Sequence, residues 1–240
     1  MTIELPEKSG RPYLDAIEDL LGRARASNHE SLPAAARLIA DVVARDGIVY
    51  VFGSGHSQLV ALEVSRRAGS IVPLQVVYDP MWGRAECVEG FGTALLAEVT
   101  FTAADCLVVV SHSGNTVAPI EMAMSARAAG TPVIAITARA PTAAASRHSS
   151  GARLRELGDI VLDNSSLGSD LAVRIGPIGV GATSTLVASA LLHEVIVEAV
   201  LALTARGIEA PVYRANAEEG GSAHNARLLR PYLGRLTTLP

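Results

Sequence analysis

Five short apolar runs alternate with segments of helical spacing through the middle of the chain, and this alternation restricts the fold more than any other feature. The runs lie within GIVYVFG, PLQVVYD, CLVVV, TPVIAIT and DIVLDN. Each has the length of a buried strand, and strands that alternate with helices form a parallel sheet covered on both faces. We therefore predict an α/β fold with a doubly wound, five-stranded parallel sheet flanked by helices.

Helical patterns also flank the strand region on both sides. Apolar residues recur at helical spacing in residues 13–27 and 33–45, before the first strand, and again in residues 183–204 after the last one. The segment EGFGTALLAEVTF is predicted to be a further helix, and the Gly-rich stretch GPIGVGATS a connection. We expect one domain over residues 1–240, with N-terminal helices and a long C-terminal helix that is buried or lies at a subunit interface.

The charge and cysteine content exclude several classes of function. The 24 acidic and 20 basic residues are interspersed and give a net charge of -4, which predicts no surface for nucleic acid or an anionic membrane. Cys87 and Cys106 form no CxxC pair, and the N-terminal MTIELPEKSGRPYL lacks the apolar core of a signal peptide. No uninterrupted apolar run reaches about 18 residues. We predict a soluble, cytoplasmic protein with a small-molecule partner.

Two polar loops follow the first and third predicted strands. The first is GSGHS, and the second is SHSGNT, directly behind CLVVV. Because ligands bind at the carboxyl ends of parallel strands, and each loop opens a helix, backbone N–H groups and hydroxyls here suit a phosphate. The alternative is that these hydroxyls only cap helices. The candidate phosphate and sugar ligands in these loops are Ser54, Gly55, Ser57, Ser111, Ser113, Gly114, Asn115 and Thr116.

Three side chains are candidates for acid and base chemistry. Glu86 and Glu89 lie three residues apart in AECVEG and would share a face of a helix, and His56 lies inside the first loop. Two carboxylates near a sugar can divide acid and base roles, and an imidazole can move a proton near neutral pH. The alternatives are a solvated helix face for the glutamates and a capping or packing role for His56.

The motifs FGSGHS, SHSGNT, AIT and GPIGVGATSTLV together resemble the sugar isomerase (SIS) family of phosphosugar-binding proteins, over roughly residues 35–205. The resemblance implies a flavodoxin-like sheet, a homodimer and a phosphate held by Ser111, Ser113, Asn115 and Thr116, with Ser54 and Ser57 completing the pocket. Within the family, GSGHS followed by RRAG, and the tail from PVYRAN to HNARLL, are most similar to one bacterial branch that is named for a domain and not for a reaction.

A second resemblance points to a class of reaction. VEGFGTALL and GPIGVGATSTLVASA are similar to segments of N-acetylmuramic acid 6-phosphate etherases, in which the glutamate before glycine is catalytic. By position that residue is Glu89, and the GATST segment adds Thr183 and Ser184 to the sugar-binding candidates. The second loop departs from the etherases, because Asn115 stands where they have a basic residue after SG.

The resemblance implies an enzyme that removes the C2 proton from an open-chain N-acetylhexosamine 6-phosphate and eliminates the C3 substituent. Glu89 would be the base, and Glu86 or His56 would assist the leaving group or ring opening. The alternatives are an aldose-ketose isomerase and a sugar-phosphate sensor without turnover. No cofactor is predicted, and no metal, because the chain has no HxxxH or HExxH pattern. A partner subunit could complete the pocket.

Overall fold

The computed structural model describes residues 11–139, 144–165 and 170–236. Its centre is a five-stranded sheet in the order β2-β1-β3-β4-β5, in which every pair of neighbours is parallel. The strands are β1 Val49–Gly53, β2 Leu74–Val77, β3 Cys106–Val110, β4 Val133–Thr137 and β5 Ile160–Asp163. This order is that of flavodoxin-like folds, so the predicted doubly wound sheet is confirmed.

Nine helical segments surround or extend from the sheet within the described parts of the chain. They are α1 Pro12–Ser27, α2 Ser31–Ala44, α3 Ser57–Glu63, α4 Phe91–Ala94, α5 Val117–Ala128, α6 Leu154–Leu157, α7 Ser184–Ala205, α8 Gly221–Leu229 and a 3-10 turn at Arg230–Tyr232. The two N-terminal helices and the long C-terminal helix therefore lie within a few residues of their predicted positions. The N-terminal segment that was expected to lack a signal peptide lies largely outside the described residues.

The strands are buried on both faces, which explains why their sequences are continuous apolar runs. Alternate residues of β1 enter different cores: Val49 and Val51 contact the layer of α2, α3 and α7, whereas Tyr50 and Phe52 contact the layer of α5 and α6. All five residues of β1, β3 and β4 are buried. The helices thus hold the sheet from both sides, and the carboxyl ends of the strands are left open to loops.

Helix α7 is a core helix. By length and composition alone it could cross a membrane, but a mostly apolar helix of a globular core has the same properties. Its residues Leu191, Leu192, Val195 and Ile196 are buried in the same cluster as α2 and β1. Burial against the sheet layer therefore accounts for the apolar pattern on this side of the helix.

Two predicted elements differ from the structure. The helix expected over EGFGTALLAEVTF is reduced to α4, which follows Gly90 in a left-handed conformation at φ 87. The Gly-rich stretch expected to be a connection contributes the second strand of an antiparallel hairpin, β6 Leu171–Ile175 with β7 Ile178–Ala182. Gly176 opens its two-residue turn at φ 59, the region that a type II′ turn requires at its first position. Sequence periodicity missed the hairpin because glycines interrupt the alternation.

Candidate functional site

The two polar loops predicted from the sequence meet at one cavity of about 320 Å³. It lies at the carboxyl ends of β1 and β3, where the chain leaves the centre of the sheet in opposite directions, the usual ligand position in such folds. The lining residues are Ser54, Gly55, His56, Ser57, Trp82, Gly83, Glu86, Val110, Ser111, His112, Ser113, Thr116, Pro119, Asp170 and Ser184.

The second loop presents hydroxyls at the start of α5. Thr116 is the residue before the helix and has extended backbone angles, yet its side chain makes no capping hydrogen bond. The Thr116 hydroxyl lies 3.4 Å from the hydroxyl of Ser111, and the N–H of Gly114 donates to Ser111 Oγ at 3.3 Å. Helix capping therefore does not account for the Thr116 hydroxyl, and the loop directs polar groups and the positive end of the α5 dipole toward the cavity.

Gly114 sets the shape of this loop without lining the cavity. Its φ is +67, and a Cβ at this position would lie 2.6 Å from Thr137 Oγ1 and 3.3 Å from Leu154 Cβ. Only glycine adopts this conformation without strain, and only glycine fits the space.

Asn115 is held away from the cavity, contrary to its predicted role at the phosphate. It is 3% exposed, and its Nδ2 donates to the carbonyl of Ala144 at 3.1 Å. The Asn115 carbonyl in turn accepts from the N–H of Arg147 at 2.9 Å. The side chain therefore ties the loop to the segment after residue 143.

The first loop is fastened to the loop after β2 by a buried carboxylate. Asp79 is fully buried, and it accepts from Ser54 Oγ at 2.9 Å and from the N–H groups of Met81 and Gly83 at 2.8 Å each. Gln58 adds a second link, because its Nε2 donates to the Asp79 carbonyl at 3.2 Å and its Oε1 accepts from the Asp79 N–H at 2.5 Å. The sequence analysis missed Asp79, although an aspartate directly after a strand next to β1 is a usable signal.

Gly55 in the first loop contacts Gly83 in the loop after β2. A Cβ added to Gly83 would lie 2.9 Å from the Cα of Gly55, and both residues have positive φ. The Glu86 Oε2 atom lies 3.5 Å from the same added position. Bare backbone therefore forms this side of the cavity, directly beside the Glu86 carboxylate.

Glu86 and His56 line the cavity, as expected for acid and base candidates. The expected helical face shared with Glu89 is absent, because residues 81–90 form consecutive turns and bends. The Glu86 carbonyl accepts from the N–H of Ala118 at 2.9 Å, so the first turn of α5 fixes the backbone of this residue. The same helix that begins at the hydroxyl loop thus positions the carboxylate.

Glu89 does not line the cavity, which corrects the expectation that it lies beside the sugar. It is exposed, and its Oε1 accepts from the N–H of Ser149 at 2.6 Å. The backbone and side chain of Ser149 together lower the pKa of the Glu89 carboxyl, and His148 adds to this effect. A carboxylate stabilised in this way is a weaker base. Turn geometry directs the two glutamates differently, and no helical spacing rule applies to them.

Asp170 contributes a second carboxylate to the cavity, and sequence reasoning did not find it. It accepts from the N–H groups of Thr183 at 2.9 Å and Ser184 at 2.6 Å, and from Ser184 Oγ at 3.1 Å. Burial acts to raise the pKa of the Asp170 carboxyl, but these hydrogen bonds and the nearby His112 outweigh it, and the pKa is lowered. The start of α7 therefore holds an ionised aspartate in the cavity wall.

The other residues of this region have distinct surroundings. Thr183 is buried and lies behind Ser184, so of the predicted pair only Ser184 lines the cavity. His112 does line it, and burial lowers the pKa of its imidazole against an opposing effect of Asp170. Glu63 forms an ion pair with Arg67 and lies 3.8 Å from His193 Nε2, away from the cavity lining.

Metal ligands do not cluster in the described ranges. Within residues 11–139, 144–165 and 170–236, no group of three or more His, Cys, Asp or Glu side chains could hold a metal ion. The cavity chemistry available there is that of hydroxyls, backbone N–H groups, two carboxylates and two imidazoles.

Comparison with known proteins agrees with this description. Residues 12–138 match the SIS domain. A UPF0309 protein of Listeria monocytogenes is 36% identical over 230 residues, which cover 95% of this chain and 98% of that protein. A UPF0309 protein of Streptomyces coelicolor is 37% identical over 243 residues, covering 95% and 97% respectively.

Solved structures show the same fold at low sequence identity. A phosphoheptose isomerase from Neisseria gonorrhoeae superposes with a TM-score of 0.53 at 18% identity, over 76% of this chain and 92% of that one. The sugar isomerase domain of an RpiR transcription factor from Sphaerobacter thermophilus gives a TM-score of 0.50 at 16% identity, over 94% and 99%. One relative is an enzyme and the other belongs to a transcription factor, so shared fold alone does not assign an activity.

Proposed function

Because the chain belongs to the SIS domain family, and to the UPF0309 proteins by its relatives, we propose that it eliminates the C3 substituent of an N-acetylhexosamine 6-phosphate. The observation that carries the proposal is the single cavity in which the hydroxyl loop before α5 meets the carboxylate of Glu86 and the imidazole of His56. A phosphate anchor and an acid and base pair are the parts that this reaction requires.

The phosphate end of the substrate belongs at the second loop in this proposal. Hydroxyls of Ser111, Ser113 and Thr116 line the cavity at the N-terminus of a 12-residue helix. Hydroxyl and N–H donors at the positive end of a helix stabilise a dianion without a cationic side chain. Ser57 also lines the cavity, at the start of α3.

The reacting carbons then extend toward Glu86 and His56. In the open-chain sugar, Glu86 takes the C2 proton, and the C–H electron pair forms an enolate with the C1 carbonyl. The enolate then re-forms the carbonyl, makes the C2–C3 double bond and expels the C3 oxygen, to which His56 donates a proton. Placement of Glu86 in the cavity and of Glu89 outside it supports Glu86 as the base.

Elimination is favoured over isomerisation by the chemistry of an amino sugar. A 2-acetamido group leaves no C2 hydroxyl that could become a ketone, so the enolate loses its C3 substituent instead. The similarity of VEGFGTALL and GATSTLV to etherase segments supports the same reaction class. We further propose a cytoplasmic homodimer. The exposed apolar residues Leu186, Val197 and Leu201 on α7 support that assembly.

Incubation in deuterium oxide tests the proposal. We expect N-acetylglucosamine 6-phosphate or N-acetylmuramic acid 6-phosphate to acquire deuterium at C2 and to give a 2,3-unsaturated product, followed by NMR. Conversion of a plain aldose phosphate to a ketose would instead identify an isomerase. Saturable binding of these sugars without exchange or product would identify a sensor, and either result would overturn the elimination.

Removing the Thr116 hydroxyl should weaken the binding of sugar phosphates. Thr116→Val keeps the shape of the side chain but deletes a donor to the phosphate, and a hydrogen bond to a charged group contributes about 1.5–3 kcal/mol. We expect Kd, measured by calorimetry, to rise on the order of 10- to 100-fold. Thr204→Val is the matched control, because that hydroxyl bonds to Val200 O on α7. Equal Kd values for the two variants would contradict the phosphate assignment.

A further inference from the structure

We infer that Asp170 makes this cavity reject sugar phosphates whose C3 substituent is an anion, so that the group eliminated is a neutral hydroxyl, lost as water. The inference rests on the proposed function and narrows its substrate class. It separates two substrates that the proposed chemistry alone allows: an N-acetylhexosamine 6-phosphate with a free C3 hydroxyl, and its C3 lactyl ether, which carries a carboxylate.

The charged side chains of the cavity wall are acidic. Among the described residues that line it, Glu86 and Asp170 are acidic, and neither lysine nor arginine is present. The imidazoles belong to His56 and His112, and burial favours the neutral form of His112. A substrate phosphate has the hydroxyl loop as its partner, but a second anion would meet two carboxylates.

The Asp170 carboxylate cannot move away from such an anion without breaking the start of α7. It accepts N–H groups from Thr183 and Ser184 and is within hydrogen-bonding distance of both hydroxyls, at 2.6–3.2 Å. These donors stabilise its ionised form and fix its position.

Three helices begin at the cavity, and the first N–H groups of α3 already donate to the carbonyls of Ser54, Gly55 and His56. The positive end of α5 is available to the phosphate, whereas that of α7 is already neutralised by Asp170. Asn115, which stands at the position of a basic residue in the etherases, is buried and bonded to Ala144 O. Within the described ranges the cavity lining offers a substrate carboxylate no lysine or arginine, and in the proposed mechanism His56 is already engaged with the C3 oxygen.

The strength of the effect follows from Coulomb's law. Two like charges about 5 Å apart at a protein surface repel enough to lower affinity on the order of 100-fold. A neutral ester of the same lactyl group has the same bulk but no charge. Comparison of the lactyl acid with its ester therefore separates the effect of the charge on affinity from the effect of size.

The test uses three reduced sugars that lack the C1 carbonyl and cannot react: N-acetylglucosaminitol 6-phosphate, N-acetylmuramitol 6-phosphate and the lactyl methyl ester of the latter. In the unmodified protein, calorimetry should give similar Kd values for the first and the ester, and a Kd about 100-fold higher for the lactyl acid. Asp170→Asn should lower the Kd of the acid at least about tenfold and change that of N-acetylglucosaminitol 6-phosphate less than about threefold.

Asn at position 170 retains an oxygen that can accept from Thr183 and Ser184, so the start of α7 should remain formed. Asp41→Asn is the matched control, because it removes one negative charge from an exposed position on α2. It should leave all three Kd values unchanged. An unchanged melting temperature of Asp170→Asn verifies folding. If that variant does not fold, the Kd values of the ester and the acid in the unmodified protein still test whether charge excludes the lactyl group.

Several outcomes decide the matter. Equal Kd values for the acid and N-acetylglucosaminitol 6-phosphate overturn the inference, and so does an ester that binds as weakly as the acid, because size then explains the selectivity. An unchanged acid Kd in folded Asp170→Asn also overturns it. Failure of all three compounds to bind contradicts the proposed function as well, whereas the other outcomes leave that function intact.

Discussion

Glu86→Gln should lower C2 deuterium exchange and product formation by at least about 100-fold, while sugar-phosphate affinity stays within about threefold of the unmodified protein. Glutamine keeps the size of the side chain and one acceptor oxygen, but its amide cannot take up a proton. Loss of a positioned general base lowers kcat/KM by about 100- to 10,000-fold. NMR in deuterium oxide measures the exchange, and calorimetry measures the affinity. The backbone of residue 86 remains bonded to Ala118 N–H, so the cavity should keep its shape.

Glu89→Gln is the matched control for this experiment. The two residues are three positions apart in the same loop, but Glu89 is exposed and bonded to Ser149, outside the cavity. We expect its kcat/KM to stay within about threefold of the original, in contrast to the general-base loss at Glu86. The reverse pattern, with exchange lost in Glu89→Gln and kept in Glu86→Gln, would show that the position implied by the etherase resemblance is the base.

Asp79→Ala should destabilise the protein and remove sugar-phosphate binding together. The change leaves the buried Ser54 hydroxyl and the N–H groups of Met81 and Gly83 without their shared acceptor. An unsatisfied buried donor costs about 1–3 kcal/mol, and the two N–H groups are only partly buried, so the free energy of unfolding should fall by roughly 3–5 kcal/mol. For a domain of this size that corresponds to a melting temperature lower by about 6–20 °C.

Thermal unfolding followed by circular dichroism measures the melting temperature. Calorimetry below that temperature measures the Kd of the sugar phosphate. Asp41→Ala removes an exposed carboxylate paired with Arg206 and serves as the control. Surface pairs of this kind contribute about 0–1 kcal/mol, so its melting temperature should hardly change. A stable Asp79→Ala protein that binds sugar phosphates with unchanged Kd would disprove that Asp79 holds the first loop in its binding position.

The sequence predicted the parts of this fold that depend on regular periods. Continuous apolar runs identified the five strands because a parallel sheet is buried on both faces, and their order placed the two polar loops at one edge. Ser54, Ser57, Ser111, Ser113 and Thr116 accordingly line one cavity. Local composition was sufficient here, since neighbouring parallel strands bring their carboxyl ends together.

The sequence was insufficient where contacts are distant or turns replace helices. Asp170 is 14 residues before Ser184 and reaches the cavity only because an antiparallel hairpin brings the chain back. Glu86 and Glu89 obey no helical period, because successive turns direct them to different surroundings. Asn115 carries the right chemistry for a phosphate, yet a carbonyl from the segment after residue 143 holds it. None of these placements follows from a local pattern.

The contact between Gly55 and Gly83 limits how this protein can acquire new substrates. A wall of main chain has no rotamers, so it cannot accommodate a bulkier sugar by turning a side chain aside. Any widening on that side requires the loop that begins at Asp79 to swing as a unit, against the hydrogen bonds that fasten it. Engineering of altered selectivity should therefore begin at Trp82, whose exposed side chain lines the cavity and can be trimmed without displacing backbone.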